Sequence, residues 1–347
     1  MRNSTIDIAK GIGILTVVLC HNWILYHDRG ELSRVVFSFH MPLFFFISGI
    51  FFKPNQPFKE LIANKANALL KPFFVVLFSV TIINSIITSS DNLTKEILGI
   101  FYASGGTITW TPLWFLSHLF CVFIFAWLIN TYLLSNIKND MLKAIILLLM
   151  LFFGVHYIGF FWNMPIKTVV FNDLIDSTKT GLIGLPFNLD ITLVTSTFFI
   201  AGHLLAKKIF EFKFNVLLTA LALLVFTTLH YLYNQTVELN AREYGNFLIC
   251  TLQIITGIYL VFALSSLCAR YSWLNKCLSY LGVGSLFILI FHFYFQHWLT
   301  GSLQYHFPNY KLLSAAFSMP VSILFSLFIW ELTQRSNLLQ KLLLANK

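Results

Sequence analysis

The sequence specifies an all-α protein that crosses a membrane about ten times, and three observations specify it. Of the 347 residues, 57% are hydrophobic and 11% are charged, where a soluble domain carries about 25% charged residues. The mean hydropathy is +0.76. Asp, Glu, Lys and Arg are absent from ten long stretches: 11–27, 35–52, 72–90, 97–137, 144–166, 191–206, 214–237, 244–269, 277–310 and 312–330. Most match the ~20 residues that a helix rising about 1.5 Å per residue needs to cross ~30 Å of hydrocarbon.

Two stretches exceed one span, and glycine and proline divide them. In the fourth, Gly105, Gly106 and Pro112 leave one helix from Leu113 to Leu134. In the ninth, Gly282 and Gly284 open a helix that is expected to end near Gly301. The first and sixth stretches are short, so their helices extend into flanking charged residues or tilt little. Because no soluble insertion or low-complexity tail interrupts the pattern, residues 1–347 read as a single membrane domain. Its longest polar segments are the loops at 90–112 and 167–190.

With ten spans both termini share one side. Placing them in the cytoplasm puts 16 of the 23 lysines and arginines on inner segments, as the positive-inside rule requires. The outer segments then hold most of the acids, among them Asp28, Glu31, Asp91, Asp173, Asp176 and Asp190. This bias accounts for the net charge of +9, so nucleic acid is not an expected partner. Asp7 precedes the first apolar run, and no small-x-small site follows it, so the run reads as a retained helix rather than a cleaved signal. Leu19 before Cys20 is too large for a lipoprotein processing site. The five cysteines, Cys20, Cys121, Cys250, Cys268 and Cys277, lack CxxC spacing; they read as small buried hydrophobes, with neither disulfide nor metal site.

Ionisable groups at membrane depth are costly, and function is their default reading. Asp7, Lys10 and His21 are spaced by 3 and 11 residues, and an 11-residue step returns to within about 20° of the same helix face. The step raises His21 about 16 Å above Lys10, leaving the lysine at the cytoplasmic mouth and the imidazole near mid-membrane. That separation suits an elongated ligand with an anionic end. A neutral imidazole can take a proton from a hydroxyl, although hydrogen bonding to a neighbouring helix is an equal use of such a residue. His40, near the outer surface, could contact an acceptor, cap a helix or face water. His292 lies within the ninth span and ranks below His21, because no charged partner shares its helix. Lys53, Lys59, Lys65 and Lys71 form an inner-side cluster that sets topology or holds a phosphate group. Asp190 opens the sixth span, where it caps a helix or binds sugar hydroxyls. Trp114 opens the fourth, as an interfacial anchor or a ring for stacking on a sugar.

These residues fall into motifs: Asp7-x-x-Lys10-Gly11 followed by His21; Phe39-His40-Met41-Pro42-Leu43-Phe44-Phe45-Phe46-Ile47-Ser48-Gly49; Leu113-Trp114-Phe115-Leu116; and Leu281-Gly282-x-x-Ser285-Leu286. Together they resemble the acyltransferase-3 family of membrane acyltransferases across nearly the whole chain. Leu185-Pro186-Phe187-Asn188-Leu189-Asp190 resembles its sugar O-acetylase branch, typified by fucose 4-O-acetylases. The resemblance implies a bacterial inner-membrane enzyme that moves an acetyl group from cytoplasmic acetyl-CoA to sugar hydroxyls of surface polysaccharides or lipid-linked glycans. It implies His21 as the catalytic residue and Lys10 as its basic partner. Where the family carries paired arginines before the third span, this chain has Lys65 and Lys71-Pro72 instead. In this reading Lys10, Lys65 and Lys71 hold CoA phosphates, and Asp7, His40, Trp114, Asp190 and His292 are acceptor-side or supporting residues. His21 acts as general base or takes the acetyl group itself. The rival classes are a proton-coupled transporter, which would also use membrane histidines but which the absence of an internal repeat disfavours, and a non-catalytic scaffold or sensor.

Overall fold

The computed structural model describes residues 3–22, 30–88, 93–163 and 184–345. The outer end of the expected first span, Asp28, Asp91, Asp173 and Asp176 lie outside the described residues. Among the described residues the chain is helical nearly throughout, and strand structure is confined to Val237–Glu238 and Glu243–Tyr244.

Six helical runs are long and apolar enough to span a membrane: Glu31–Ile50, Phe58–Ile87, Thr111–Asn136, Asp140–Gly159, Phe247–Cys268 and Pro308–Arg335. Ser272–Val283 and Ser285–His306, bent by 76° at Gly284, make a seventh if taken as one broken span. At the other three expected spans the helices are shorter, Ser4–Cys20, Thr192–Leu204 and Val216–Leu232, so among the described residues six or seven runs, rather than ten, reach spanning length. Apolar side chains point outward along these runs, with Ile86, Ile87, Val216 and Leu217 more than two-thirds exposed. Such a surface is stable against lipid, where a helix satisfies its own backbone.

The first helix, α1 (Ser4–Cys20), extends as expected into the flanking charged residues, beginning seven residues before the charge-free stretch. The Asn3 side chain accepts from the Ile6 N–H at its start, and Asp7 and Lys10 sit inside it as an ion pair at 3.9 Å, so charge does not end the helix. The ninth helix runs past Gly301 to His306, because a helix in lipid tolerates an isolated glycine. Gly282 lies inside the preceding helix rather than opening the next. The five cysteines are free thiols, but Cys277 is exposed and Cys121 and Cys268 are only partly buried.

The chain forms two compact units. Unit one comprises residues 1–51, 202–238 and 245–332. Its centre is α1, which packs on α2 (His40–Ile50), α3 (Phe247–Cys268), α4 (Ser272–Val283) and α5 (Ser285–His306). An apolar core of Ile14, Val17 and Val18 meets Ile288, with Ile323 and Leu327 from α6 (Lys311–Arg335). The tightest contact joins backbones. A Cβ at Gly11 would stand 2.1 Å from the Leu278 carbonyl oxygen, and one at Gly282 would stand 1.9 Å from that of Asp7. Two motif glycines far apart in sequence therefore form one crossing of α1 and α4, as small residues do where helices associate in lipid.

Unit two comprises residues 52–201, 239–244 and 333–347. Phe52, Phe123 and Phe199 form its aromatic centre, with ring centroids 4.8–6.1 Å apart. The helix Trp114–Tyr132 packs on the π-helical turn Ala66–Leu70 and on the 3-10 segment Pro186–Ile191.

Gly11→Ala and Gly282→Ala are each expected to cost ~1–3 kcal/mol of stability by overpacking, read as a lowered thermal midpoint of the purified protein in nanodiscs. Gly301→Ala, whose Cβ would meet nothing within 4 Å, should leave the midpoint near that of the wild type.

Candidate active site

In unit one, α1 carries Asp7 and Lys10, and His21 closes it. Asp7 is 8% exposed, and Lys10, beside it, places its ammonium 4.4 Å from the centroid of the Phe51 ring. The cation is thus held by a carboxylate and an aromatic face together. His21 is the residue that closes α1. It stands at the helix end rather than in mid-helix, because the helix stops at Cys20. The next residue, Asn22, is buried and donates its side-chain amide to the Ala315 carbonyl at 2.8 Å, which ties this end of α1 to α6.

Two backbone carbonyls and one nitrogen–nitrogen contact define the chemistry of the histidines. The His292 Nδ1 lies 2.6 Å from the Ile288 carbonyl, so Nδ1–H donates there and Nε2 keeps its lone pair. That Nε2 lies 3.1 Å from the His21 Nδ1, which in turn lies 3.0 Å from the Val17 carbonyl. A single proton on the His21 Nδ1 satisfies both acceptors, and the unprotonated nitrogen of His21 is then Nε2. The rings stand 5.2 Å apart, and Phe293 presents an edge contact to His21 at 5.1 Å. His292 is fully buried while His21 is only partly so: the outer imidazole is reachable and the inner one orients it.

His40 joins this neighbourhood. It opens α2, is 4% exposed, and donates from Nδ1 to the Val36 carbonyl at 3.0 Å. It does not face water, because the turn before it folds its ring against Phe37. His297, on α5, packs on the Phe293 ring at 4.4 Å, the same ring that meets His21. His297 was not legible as a site residue, since it is partnered within its own helix, to the Phe293 carbonyl. Among the described residues no group of three or more His, Cys, Asp or Glu side chains is arranged to hold a metal.

The other expected residues belong to unit two. Lys65 places its ammonium 3.9 Å from the Phe123 ring centroid. Lys71 donates to the Leu344 carbonyl, joining the two ends of this unit. Trp114 is 6% exposed and packs on His118 at 5.9 Å. Its ring is interior, not an anchor at an exposed surface. Asp190 accepts from the Leu185 N–H at 2.7 Å and from Arg242 at 2.8 and 3.1 Å. It does not cap the following helix; it holds a loop. Arg242 also donates to Asn188 at 2.8 Å, and its guanidinium fills the space over Gly184. Phe187, Asn188 and Arg242 have φ between 55° and 61°, a strained backbone that this buried ion pair holds in place, while Gly184 takes φ 70° without strain. Tyr102 donates to the Gly184 carbonyl at 2.6 Å. Burial, and after it the Asp190 carboxylate, raise the Tyr102 phenol above its ordinary pKa, so it stays a donor. His118 bonds the Phe187 carbonyl at 3.0 Å and the Thr195 hydroxyl at 2.9 Å. The Leu113–Leu116 motif stopped two residues short of it.

Asp190→Asn leaves Arg242 buried with half its ionic partner gone and is expected to cost ~3–5 kcal/mol, measured by thermal unfolding. Asp190→Leu combined with Arg242→Met should recover part of that loss, because an apolar pair replaces a broken ionic one.

Comparison with curated proteins and with solved structures gives no match. The acyltransferase-3 family, described as an acyltransferase domain, matches residues 3–331. That span includes α1 with Asp7, Lys10 and His21, the second-span motif, and His292. The chain belongs to the acyltransferase-3 family of membrane acyltransferases.

Proposed function

We propose that this protein is a membrane O-acetyltransferase of the sugar O-acetylase, fucose 4-O-acetylase-like branch. It moves the acetyl group of acetyl-CoA to a sugar hydroxyl of a lipopolysaccharide, another cell-surface polysaccharide or a lipid-linked glycan. It works in the inner membrane of a bacterium with both termini in the cytoplasm, as the distribution of basic residues favours.

The observation that carries this reading is the tautomer chain Ile288 carbonyl, His292, His21. It leaves the His21 Nε2 as a base on the one partly exposed imidazole of the pair. The acceptor O–H gives its proton to that nitrogen as its oxygen attacks the thioester carbonyl. The C–S bond then breaks, and the CoA thiolate takes the proton back from the imidazolium. His292 accepts the Nδ1–H bond throughout and so favours the imidazolium that forms. It is a positioning residue, acting through His21.

The donor fits the length of α1. The ~16 Å rise from Lys10 to His21 compares with ~17 Å for an extended acetyl-pantetheine arm, about five peptide units long. With the thioester beside His21, the CoA phosphates fall at the level of Lys10, whose charge Asp7 and Phe51 hold in place.

The first test is mass spectrometry of surface polysaccharide from cells with the wild-type gene, a deletion, and His21→Ala shown to be stably inserted. Loss of the acetyl increment in both the deletion and the variant is expected, and an unchanged glycan in the deletion sinks the reading. With purified protein, His21→Ala should lower kcat by about 10²–10⁴-fold. His292→Gln, which keeps an acceptor for the His21 Nδ1–H, should retain more activity than His292→Leu. Equal activity of those two variants would remove His292 from the mechanism.

A further inference from the structure

An open cleft of ≈ 440 Å³ lies at the Asp7 end of α1 in unit one. A volume of a few hundred Å³ is typical of small-ligand sites. Its walls differ in chemistry. Asn275, Lys276, Ser279 and Tyr280 project into it from successive turns of α4, Asp7 comes from α1, and Trp330 from α6 closes one end. The Tyr280 and Trp330 rings stand 5.1 Å apart at 55°, making an aromatic corner. The Tyr280 hydroxyl donates to Glu331 at 2.7 Å, which fixes that ring. Lys276 is exposed, and the described ion pairs do not include it. An aromatic corner, an available ammonium and amide, hydroxyl and carboxylate groups between them suit a purine nucleotide: a flat base with amine and ring-nitrogen edges, attached to phosphates.

Position along α1 gives the second argument. Asp7 and His21 are 14 residues apart, a rise of about 21 Å that returns to within ~40° of the same helix face. An acetyl-pantetheine arm of ~17 Å reaching down from His21 ends short of Asp7. The part of the donor beyond the arm is then at the height of the cleft. The Gly11–Gly282 crossing keeps α4 against α1 at this level, so the cleft wall and the reacting histidine are carried by one rigid pair of helices.

We propose that this cleft holds the adenosine-phosphate end of the CoA thioester, with Lys276 on a phosphate oxygen and the purine against Trp330 and Tyr280. The assignment rests on the CoA-dependent transfer proposed above. It moves the main phosphate contact from the lysines before the third span to Lys276, at the opposite end of the sequence.

The test is calorimetric titration of the full-length protein in nanodiscs of zwitterionic lipid with CoA and with 4′-phosphopantetheine, which lacks the nucleotide. Wild type should bind CoA more tightly than phosphopantetheine. Lys276→Gln should weaken CoA by about ten- to a hundredfold, the worth of one charge-assisted contact, while Lys276→Arg retains affinity. Trp330→Leu should shrink the gap between the two ligands. Lys276→Glu and Trp330→Leu proteins that keep the wild-type thermal midpoint and bind CoA as the wild type does would overturn the proposal and leave the CoA reading standing. A Lys276 effect seen only in nanodiscs of anionic phospholipid would make the cleft a lipid-headgroup site and also overturn it. A wild type that binds neither CoA nor phosphopantetheine would instead remove the donor reading itself.

Discussion

The backbone contact between Gly11 and Gly282 is the constraint on which unit one depends. In lipid, apolar faces gain nothing by leaving water, so helices associate by close packing of small residues and by polar contacts. Here the absence of two side chains lets α1 and α4 touch through their main chains. The crossing fixes α1 in rotation and height, and so fixes both ends of a rod about 25 Å long. At one end are Asp7, Lys10 and the cleft; at the other is His21. Because α4 turns into α5 through the 76° bend at Gly284, the same contact also decides where His292 arrives.

Charges in an apolar interior are managed in two ways. Asp7 and Lys10 neutralise each other one turn apart on a single helix, with the ammonium resting on an aromatic ring. Such a pair is cheap to form, since helix geometry supplies the proximity. Arg242 and Asp190 meet across 52 residues with both side chains almost wholly buried. There the desolvation cost is offset by a full set of hydrogen bonds to Asn188, the Asn240 carbonyl and the Leu185 N–H. The first arrangement keeps a part-exposed cation on one helix. The second holds a loop with left-handed residues in one conformation.

The histidines follow the same division. His40, His292 and His297 each donate to the carbonyl four residues earlier, which ties His292 and His297 within α5 and His40 to the helix Glu31–Phe37 that precedes α2. That local bond decides which nitrogen remains a lone pair, and in His292 it is the one aimed at His21. The pair needs no carboxylate to orient it. The sequence-based ranking of His292 below His21 weighed charged partners on its helix, whereas the contact that the structure shows between them is nitrogen to nitrogen at 3.1 Å.

By itself the sequence determined the fold class and the approximate place of most of the expected spans, but not the helices Phe58–Lys65, Leu93–Tyr102 and Ser272–Val283 between them. Membrane helices must satisfy their backbone internally and face lipid with apolar side chains, and both demands are written along the chain. The placing of Asp7 and Lys10 on one helix, with His21 at its end, was equally legible, since helical periodicity is local. The tertiary structure alone decided what lies between helices: His292 against His21 across 271 residues, Arg242 against Asp190, Lys276 and Trp330 on one cleft, and Lys65 and Lys71 turned to Phe123 and Leu344. These meetings depend on crossing angles and bends set by glycine contacts, and a hydrophobic pattern shared by every span carries no record of which spans will touch.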